Sequence, residues 1–532
     1  MNTAISAFKQ LWQWINKHEE WIYFIFLLLI VFTFSFSRYI LRAWEISMAG
    51  IFIISGNYGE KYKRLKANKD LLVLASFFLV YLIGLLYTSD LSAGLKHIRV
   101  MLPWAGLPII IGAYPALSKP YFKLLLLVYI AGVILHTFIS LMAVYGILLS
   151  PIENFRDIGV FYSHQRYALT IVLAQMVLFY LLFRRWYSKR YEKPLYLVLL
   201  LYLTGFLLYS KIMTGILTFA AIAGVYLIYQ LLIQQNRYLR AGLLAVLIIA
   251  ATTAAWYGDR VYQDLWGAPP IDTIELPART ANGTPYKHNK NPQYVSNGHY
   301  EGLFLCHQEM RKTWEKRSSV GYDQPSIGSN KSKIRFILKR YLTSRGLTKD
   351  SAGVSQLSKD EIKAIEQGVV NYRFRTFDFT DRLYLIAREV YQYQVTGKPR
   401  GTLSARLHAL QTGWRFFRQN PWLGHGTHAT LHEFRQFYQK QGTTGKNYVP
   451  VHNQYARYLI EFGLTGLLWF LVAIGYPYFS RRGYRSLLFN GLLASFLLAA
   501  LASTPFDAQL SLTIWVVFYS VLYKNKSQSL QE

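Results

Sequence analysis

Long apolar segments dominate this sequence and set its fold class. With their flanks they reach roughly 17 to 25 residues, which is the length that an α-helix needs to cross a bilayer. The chain has 532 residues, of which 52% are hydrophobic, whereas a soluble chain of this length would divide into domains with polar surfaces. The sequence therefore predicts an all-α integral membrane protein with about twelve transmembrane helices. The apolar cores are residues 24–36, 39–55, 71–87, 98–113, 124–149, 168–183, 195–209, 216–232, 241–256, 459–476, 487–501 and 510–522.

Basic residues crowd the short loops between these segments, and their placement predicts the topology. The net charge of +30 would by itself also suit a nucleic-acid-binding protein. With about twelve spans, however, the basic loops and both termini fall on one side of the membrane, which the positive-inside rule makes cytoplasmic. No nucleic-acid partner is therefore predicted. The basic loop residues are Lys61, Lys63, Arg64, Lys66, Lys69, Arg184, Arg185, Lys189, Arg190, Lys193, Arg237, Arg240, Arg481, Arg482, Arg485, Lys524 and Lys526.

Two further features concern the N-terminus and the cysteine content. No cleavable signal peptide is evident, and the segment around Trp12 and Trp14 is expected to lie at the membrane interface. Cys306 is the single cysteine. It excludes an intramolecular disulfide framework and any zinc cluster built on several cysteines.

The predicted topology places one large polar segment outside, between the ninth and tenth helices. The expected division is an N-terminal transmembrane bundle over 1–257, a mainly helical periplasmic loop over 258–451, and C-terminal transmembrane helices over 452–532. Within the loop, residues 299–316, 377–394 and 403–417 have helical spacing of apolar residues. Ser358 and Glu361 form a capping box that predicts another helix start.

His452 and Asn453 lie where the large loop re-enters the membrane. The sequence places the imidazole in the first turn of a helix, where the positive end of the helix dipole disfavours imidazolium. A neutral histidine at the interface can accept a proton, as a general base does. The alternative is a capping or interfacial histidine without a catalytic role.

A glycine-containing segment and an arginine precede this point. Residues 420–427 read Asn-Pro-Trp-Leu-Gly-His-Gly-Thr, and such a turn could offer open backbone amides to an anion. Arg406 lies one helix upstream, and its planar guanidinium suits phosphate oxygens. On its own, an arginine at such a position is more often a solvated helix charge.

Two other external segments could supply cations. Arg156, His164 and Arg166 cluster where the sixth predicted helix enters the bilayer, and Lys211 lies in the hairpin between the seventh and eighth. Ionisable residues at such places either anchor a helix or serve function.

The insert over about 268–346 contains His288, His299 and His307 beside Cys306. Their spacing fits no established metal template, so no metal site is predicted. The many basic residues of the insert could meet anionic sugars and phosphates, or form an ordinary solvated surface.

Taken together, the C-terminal segments resemble the O-antigen ligase and O-antigen polymerase superfamily of bacterial membrane proteins. The resemblance rests on a Ser404-x-Arg406 helix, the Asn-Pro-x-x-Gly-x-Gly segment, His452-Asn453, and the Glu-Phe-Gly-Leu-Thr-Gly-Leu stretch over 461–467. These motifs cover about 403–467, and the helix layout covers the rest.

The resemblance implies a GT-C-like glycosyltransferase in the bacterial inner membrane, with its active site on the periplasmic face. It implies a polyprenyl-diphosphate-linked glycan as donor, a lipid A-core or other glycan as acceptor, and inversion without a metal or other cofactor. His452 would be the general base and Arg406 would bind the diphosphate, assisted by Lys211, Arg156, Arg166, His164 and Asn453. The family commonly has Ser-Arg where this chain has Ser210-Lys211, and lysine keeps the charge but loses the bidentate geometry.

Three alternatives stay open at this point. An O-antigen polymerase would use the same donor chemistry with a different acceptor. A transporter or flippase would normally show related halves and broken mid-membrane helices, and the sequence shows no internal repeat. A non-catalytic scaffold would not need His452. The oligomeric state is not predicted.

Overall fold

The computed structural model describes residues 2–148, 158–291, 294–328, 331–374, 379–399, 401–429, 433, 435–436 and 450–525. These residues are mostly helical. The helices are Asn2–Thr33, Arg38–Ile54, Tyr58–Ala67, Asp70–Leu85, Leu91–Ala113, Lys119–Val144, His164–Phe183, Glu192–Tyr209, Met213–Ile233, Arg237–Trp266, His307–Glu315, Ile334–Ser344, Ser351–Ser355, Lys359–Glu366, Phe379–Thr396, Thr402–Gln419, Gln454–Ser480, Leu487–Ala502 and Gln509–Lys524. Short 3-10 turns occupy Ile271–Thr273, Gly483–Arg485 and Pro505–Asp507.

Five of the described helices are long and apolar enough to cross a membrane. A sixth span results if the bent pair Arg38–Ile54 and Tyr58–Ala67, which meet at 115°, counts as one. Each of the twelve predicted apolar cores coincides with part of a helix, while the count of twelve spans stays a prediction. The five helices are Lys119–Val144, His164–Phe183, Glu192–Tyr209, Arg237–Trp266 and Gln454–Ser480.

The chain divides into two compact units. The first comprises Met1–Tyr226 and Ala409–Glu532, and the second comprises Leu227–His408. The first unit has one large apolar core in which Trp104, Tyr129, Tyr458 and Trp515 are fully buried. The predicted boundaries near 258 and 451, and the placement of the loop outside the membrane, stay predictions.

The second unit has two smaller apolar cores. Trp314, Ile337, Leu338 and Tyr341 belong to one, which joins the helices His307–Glu315 and Ile334–Ser344. The other packs the end of the Arg237–Trp266 helix against residues near 295–304 and 374–391. The described strands, Val295–Ser296 and His299–Tyr300, form an antiparallel pair.

Of the local predictions made between residues 297 and 419, some are confirmed and one is partly wrong. The capping box is confirmed, because Ser358 and Glu361 exchange both expected hydrogen bonds. The helices predicted over 377–394 and 403–417 are confirmed as Phe379–Thr396 and Thr402–Gln419. The helix predicted over 299–316 is wrong in its first half. Asn297 and Gly298 adopt φ values of 49° and 80°, which suit a tight hairpin turn, so His299 and Tyr300 pair as a strand and the helix starts at His307.

Candidate active site

Asn453, rather than His452, caps the helix Gln454–Ser480. The Asn453 side-chain oxygen accepts a hydrogen bond from the Ala456 amide at 2.9 Å, and Asn453 Nδ2 donates to the Leu501 carbonyl at 3.0 Å. His452 is half-buried and precedes the cap, so its predicted place in the first helical turn is wrong. Asparagine is a favoured N-cap residue because its side chain satisfies an unpaired amide. The imidazole nevertheless stays beside the positive end of the helix.

Arg457 lies in the first turns of the same helix and holds two carboxylates. Its Nε is 3.0 Å from Glu461 Oε1 and 3.0 Å from Asp507 Oδ2. The side chains of Arg457, Glu461 and Asp507 are 13%, 0% and 4% exposed. Charges with so little contact with water need close partners of opposite sign. We refer to these three residues as the buried ion cluster.

The turn that carries Asp507 is fixed to the start of the helix by further contacts. The Phe506 amide donates a hydrogen bond to Gln454 Oε1 at 3.1 Å. The Tyr81 hydroxyl lies 3.5 Å from Asp507 Oδ1 and 3.2 Å from the Tyr458 hydroxyl. The segment directly after His452 is therefore held by residues that are distant in the sequence.

Two histidines extend the buried ion cluster on its other side. Arg457 Nη2 is 3.2 Å from His428 Nδ1, and the rings of His428 and His97 stack with centroids 4.7 Å apart. A guanidinium can only donate hydrogen bonds, so Nδ1 of His428 must accept. His428 is therefore neutral in this arrangement, with its ring proton on Nε2.

Arg166 is a predicted cation whose interactions connect it to this region. It lies in the first turn of the helix His164–Phe183 and interacts electrostatically with both Asp507 and Arg38. Arg166 therefore adds a second guanidinium near Asp507 of the buried ion cluster.

The other predicted residues are placed as follows. His164 begins the same helix as Arg166. Lys211 is half-buried and adopts φ 53° directly after Ser210, the C-cap of the helix Glu192–Tyr209. Arg406 lies in the helix Thr402–Gln419 within the second unit. Arg156 lies outside the described residues. For His164, Lys211 and Arg406, convergence on His452 stays a prediction.

Residues 420–427, the glycine turn, do not offer the open anion site predicted from the sequence. The amides of His425 and Gly426 donate to the carbonyls of Ile460 and Glu461 at 2.9 and 2.8 Å. The Thr427 amide donates to the Gly84 carbonyl at 3.1 Å, and the Gly424 amide to Asn420 at 3.0 Å. That prediction is wrong for these four amides, because each already has a backbone partner.

The glycine turn instead fits into a break in the helix Gln454–Ser480. Gly463 has φ 64° and ψ −165°, which interrupts the helix. The Leu464 and Thr465 amides then donate to the carbonyls of Pro421 and Trp422, at 2.8 and 3.3 Å. In an unbroken helix those amides would bond Ile460 and Glu461. Two hydrogen bonds of the helix are thus replaced by four bonds to the glycine turn. The turn donates to the two helix carbonyls and accepts from the two helix amides.

His425, in the glycine turn, is held by two acceptors. Its Nε2 is 2.9 Å from the Phe416 carbonyl and its Nδ1 is 3.1 Å from Glu433 Oε2. A carbonyl and a carboxylate both accept, so both ring nitrogens must carry a proton. Consistently, the hydrogen bond to Glu433 raises the pKa of His425 above its ordinary value.

The sequence did not single out Arg457, Asp507, His97 or His428. Arg457 and Glu461 are four residues apart at the head of an apolar helix, and Asp507 is an isolated acid between two apolar segments. Ionisable residues next to membrane helices are functional candidates by default, so these positions carried a usable signal. For metal binding, the described residues include no group of three or more His, Cys, Asp or Glu side chains that could hold an ion.

Comparison with known proteins bears on the C-terminal part of this region. A family model described as O-antigen ligase matches residues 366–471. No curated protein matches the chain. The matched segment contains Arg406, the glycine turn, His452, Asn453 and the break at Gly463. Together with the apolar helices, the match supports a multi-pass membrane protein. It also confirms the resemblance of the chain to the O-antigen ligase and O-antigen polymerase superfamily.

Proposed function

We propose that this chain is a glycosyltransferase of the O-antigen ligase type. The observation that carries the proposal is the family match over 366–471, which spans His452 and most of the residues that hold it. The proposed donor is a glycan linked to a polyprenyl diphosphate, and the proposed acceptor is a lipid A-core or another glycan. Membrane lipids surround the protein, and no cofactor is assigned to the reaction.

In the proposed reaction the acceptor hydroxyl oxygen forms a bond to the anomeric carbon while the bond from that carbon to the diphosphate oxygen breaks. The polyprenyl diphosphate leaves with the bonding electron pair, and the hydroxyl proton moves to the imidazole of His452. Attack from the face opposite the leaving group inverts the anomeric centre. A hydroxyl has a high pKa, so it needs such a base in the transition state.

The leaving diphosphate carries negative charge, which fixed cations stabilise. Arg166 is the best supported of the candidates, because it lies near the turn that is bonded to the start of the His452 helix. We assign Arg406, Lys211, Arg156 and His164 to the same role on the basis of the resemblance alone. We also assign Asn453 to contact the substrate. Its side-chain amide would do so with the hydrogen-bonding capacity that helix capping does not use.

The buried ion cluster is proposed to position His452 rather than to react. It joins the helix that follows His452 to the Pro505–Asp507 turn through Arg457. A base must be held within hydrogen-bonding reach of the proton it removes. Rigid anchoring of the residues that follow it serves this requirement.

The proposed location is the inner membrane, with both termini in the cytoplasm and the site on the periplasmic face. This orientation rests on the positive-inside distribution of the basic loops. A lipid-linked donor cannot leave the bilayer, so the site must lie at the membrane boundary. An O-antigen polymerase of the same superfamily is the alternative, since the match does not name the acceptor.

The first test is surface glycolipid profiling of the native host with His452→Ala at matched membrane abundance. We expect the substitution to leave the lipid A-core without glycan while polyprenyl-linked glycan accumulates. His18→Ala is the control, because His18 lies in the first helix, where its ring contacts the Trp14 carbonyl. Its profile should match that of the unmodified protein.

The other outcomes separate the alternatives. Loss of chain length with single units still attached would identify a polymerase. An unchanged profile for His452→Ala would remove the base from the mechanism and favour a transporter or a scaffold.

A further inference from the structure

A group of cations lies around one buried tyrosine in the insert of the second unit. Tyr322 is 1% exposed, and its hydroxyl is 2.7 Å from His307 Nδ1. The Arg311 guanidinium lies over the Tyr322 ring at 5.2 Å. The Arg335 amide donates to the Tyr322 carbonyl at 2.9 Å. Tyr322 therefore contacts the side chains of His307 and Arg311 in one helix and the backbone of Arg335 at the start of the next helix.

Two lysines complete this group. Lys287 and Leu305 exchange two backbone hydrogen bonds, at 2.8 and 3.1 Å, just before His307 in the chain, and Lys339 lies one turn after Arg335 in the helix Ile334–Ser344. Both lysines, like Arg335 and Arg311, act on His307 as nearby positive charges. Burial and these four cations lower the pKa of His307. We refer to Lys287, His307, Arg311, Arg335 and Lys339 as the basic patch.

The basic patch is only partly neutralised by neighbouring acids. Asp323 pairs with both Arg311 and Arg335, and Glu315 lies 4.0 Å from Arg311. Two carboxylates thus accompany four permanent cations. The Arg311 and Arg335 side chains are 49% and 37% exposed, and Lys287 and His307 are also exposed. The excess positive charge is open to solvent.

The basic patch differs from separate surface lysines because its geometry is fixed. Asp323 pairs with the guanidinium groups of Arg311 and Arg335. Trp314 and Tyr341 are buried in the core between the helices His307–Glu315 and Ile334–Ser344. The ligand that best matches such a cluster is a compact anion with more than one charge. A phosphomonoester carries about two negative charges at neutral pH and accepts several charge-assisted hydrogen bonds.

We propose that the basic patch binds a phosphomonoester on the glycolipid acceptor. This inference rests on the proposed function, because it assumes that the acceptor is a phosphorylated glycolipid. Beyond the proposed function, the inference names the chemical group of the acceptor that the insert would bind. The transferred bond is not involved, so binding and catalysis are separable.

The test measures binding of glucose 6-phosphate, glucose and inorganic phosphate to the full-length protein in detergent micelles. The test variant is Lys287→Gln/Lys339→Gln, which removes two charges and leaves the pairs of Asp323 in place. The matched control is Lys359→Gln/Lys363→Gln, which removes two exposed lysines from another helix of the same unit. Phosphatidylglycerol vesicles form a further arm.

We expect glucose 6-phosphate to bind and glucose to show no measurable binding. The test variant should bind the sugar phosphate about tenfold more weakly, and the control should match the unmodified protein. Binding of inorganic phosphate with the same dependence on Lys287 and Lys339 would also support the site. Equal binding by the test and control variants would overturn the proposal, as would binding confined to vesicles.

His452→Ala separates this proposal from the proposed function. A variant that transfers no glycan but still binds glucose 6-phosphate normally would leave the basic patch standing. Conversely, the unmodified protein could transfer glycan while the Lys287→Gln/Lys339→Gln variant binds glucose 6-phosphate as well as the unmodified protein does. That result would support the proposed function and contradict the proposed role of the basic patch.

Discussion

Individual residues matter here chiefly through the partners that the fold gives them. Asn453 was predictable as a neighbour of His452, but its use as the helix cap depended on the helix starting at Gln454. Arg457 and Asp507 are 50 residues apart in the sequence, and no local periodicity links them. Sequence motifs therefore identified His452 as a candidate base. The residues that anchor the segment after it could be found only from tertiary contacts.

Arg457→Gln should strongly destabilise the first unit. The substitution would leave Glu461 and Asp507 buried without their shared cation, which costs about 3–5 kcal/mol for a buried pair. Thermal unfolding of the purified protein in detergent measures the effect. Arg485→Gln removes an exposed arginine and should change the midpoint little. Equal midpoints for the two variants would mean that the buried ion cluster contributes nothing to stability.

His425 should make the stability of the glycine turn depend on pH. Its pKa is raised in the folded state, so its contribution is complete below the unfolded pKa of about 6.5. The contribution is lost as the pH rises through the folded pKa. The stability difference between the unmodified protein and His425→Gln should therefore be larger at about pH 6 than at about pH 9. A difference that stays constant over this range, in thermal unfolding, would contradict the protonated pair.

Elements were predictable where the signal was local. The capping box at Ser358 specified its helix start, and apolar periodicity located Phe379–Thr396 and Thr402–Gln419. The error over 299–316 arose because apolar residues at helical spacing outweighed an Asn-Gly turn immediately before them. The break at Gly463 could not be read from periodicity, since the apolar pattern continues across it.

Gly463→Ala should disrupt the contact between the broken helix and the glycine turn. A Cβ at Gly463 would collide with the Trp422 carbonyl, and φ 64° is strained for any residue with a side chain. We expect lower thermal stability and loss of glycan transfer. Gly475→Ala in the same helix meets nothing closer than the Phe479 ring at 3.8 Å, so it should be tolerated. Normal transfer and stability for Gly463→Ala would show that the break is dispensable.

At the scale of the whole molecule, the sequence predicted a helical membrane protein because long apolar segments have few other stable solutions. The family resemblance could also be recognised from the sequence, since Gly424, Gly426, His452 and Glu461 lie within a segment of 38 residues. The docking of the glycine turn on Gly84 was not, because that contact joins segments far apart in the chain.

The topology can be tested with the single cysteine of the chain. Cys306 is buried and would be replaced by Ser, and one new cysteine would then be placed at Lys290 or at Ser188, which are both exposed. A membrane-impermeant maleimide should label the Lys290 position in spheroplasts. It should reach the Ser188 position only after permeabilisation. The reverse pattern would invert the predicted orientation.

The break at Gly463 also has a consequence for biogenesis. A ribosome makes the glycine turn before the helix Gln454–Ser480, and the turn must later insert its own amides and carbonyls into that helix. A newly inserted apolar segment satisfies its backbone as a continuous helix. We therefore expect the break to form after membrane insertion, when the turn and Gly84 have come together. We expect the chain to remain inactive as an inserted precursor and to mature in this final folding step.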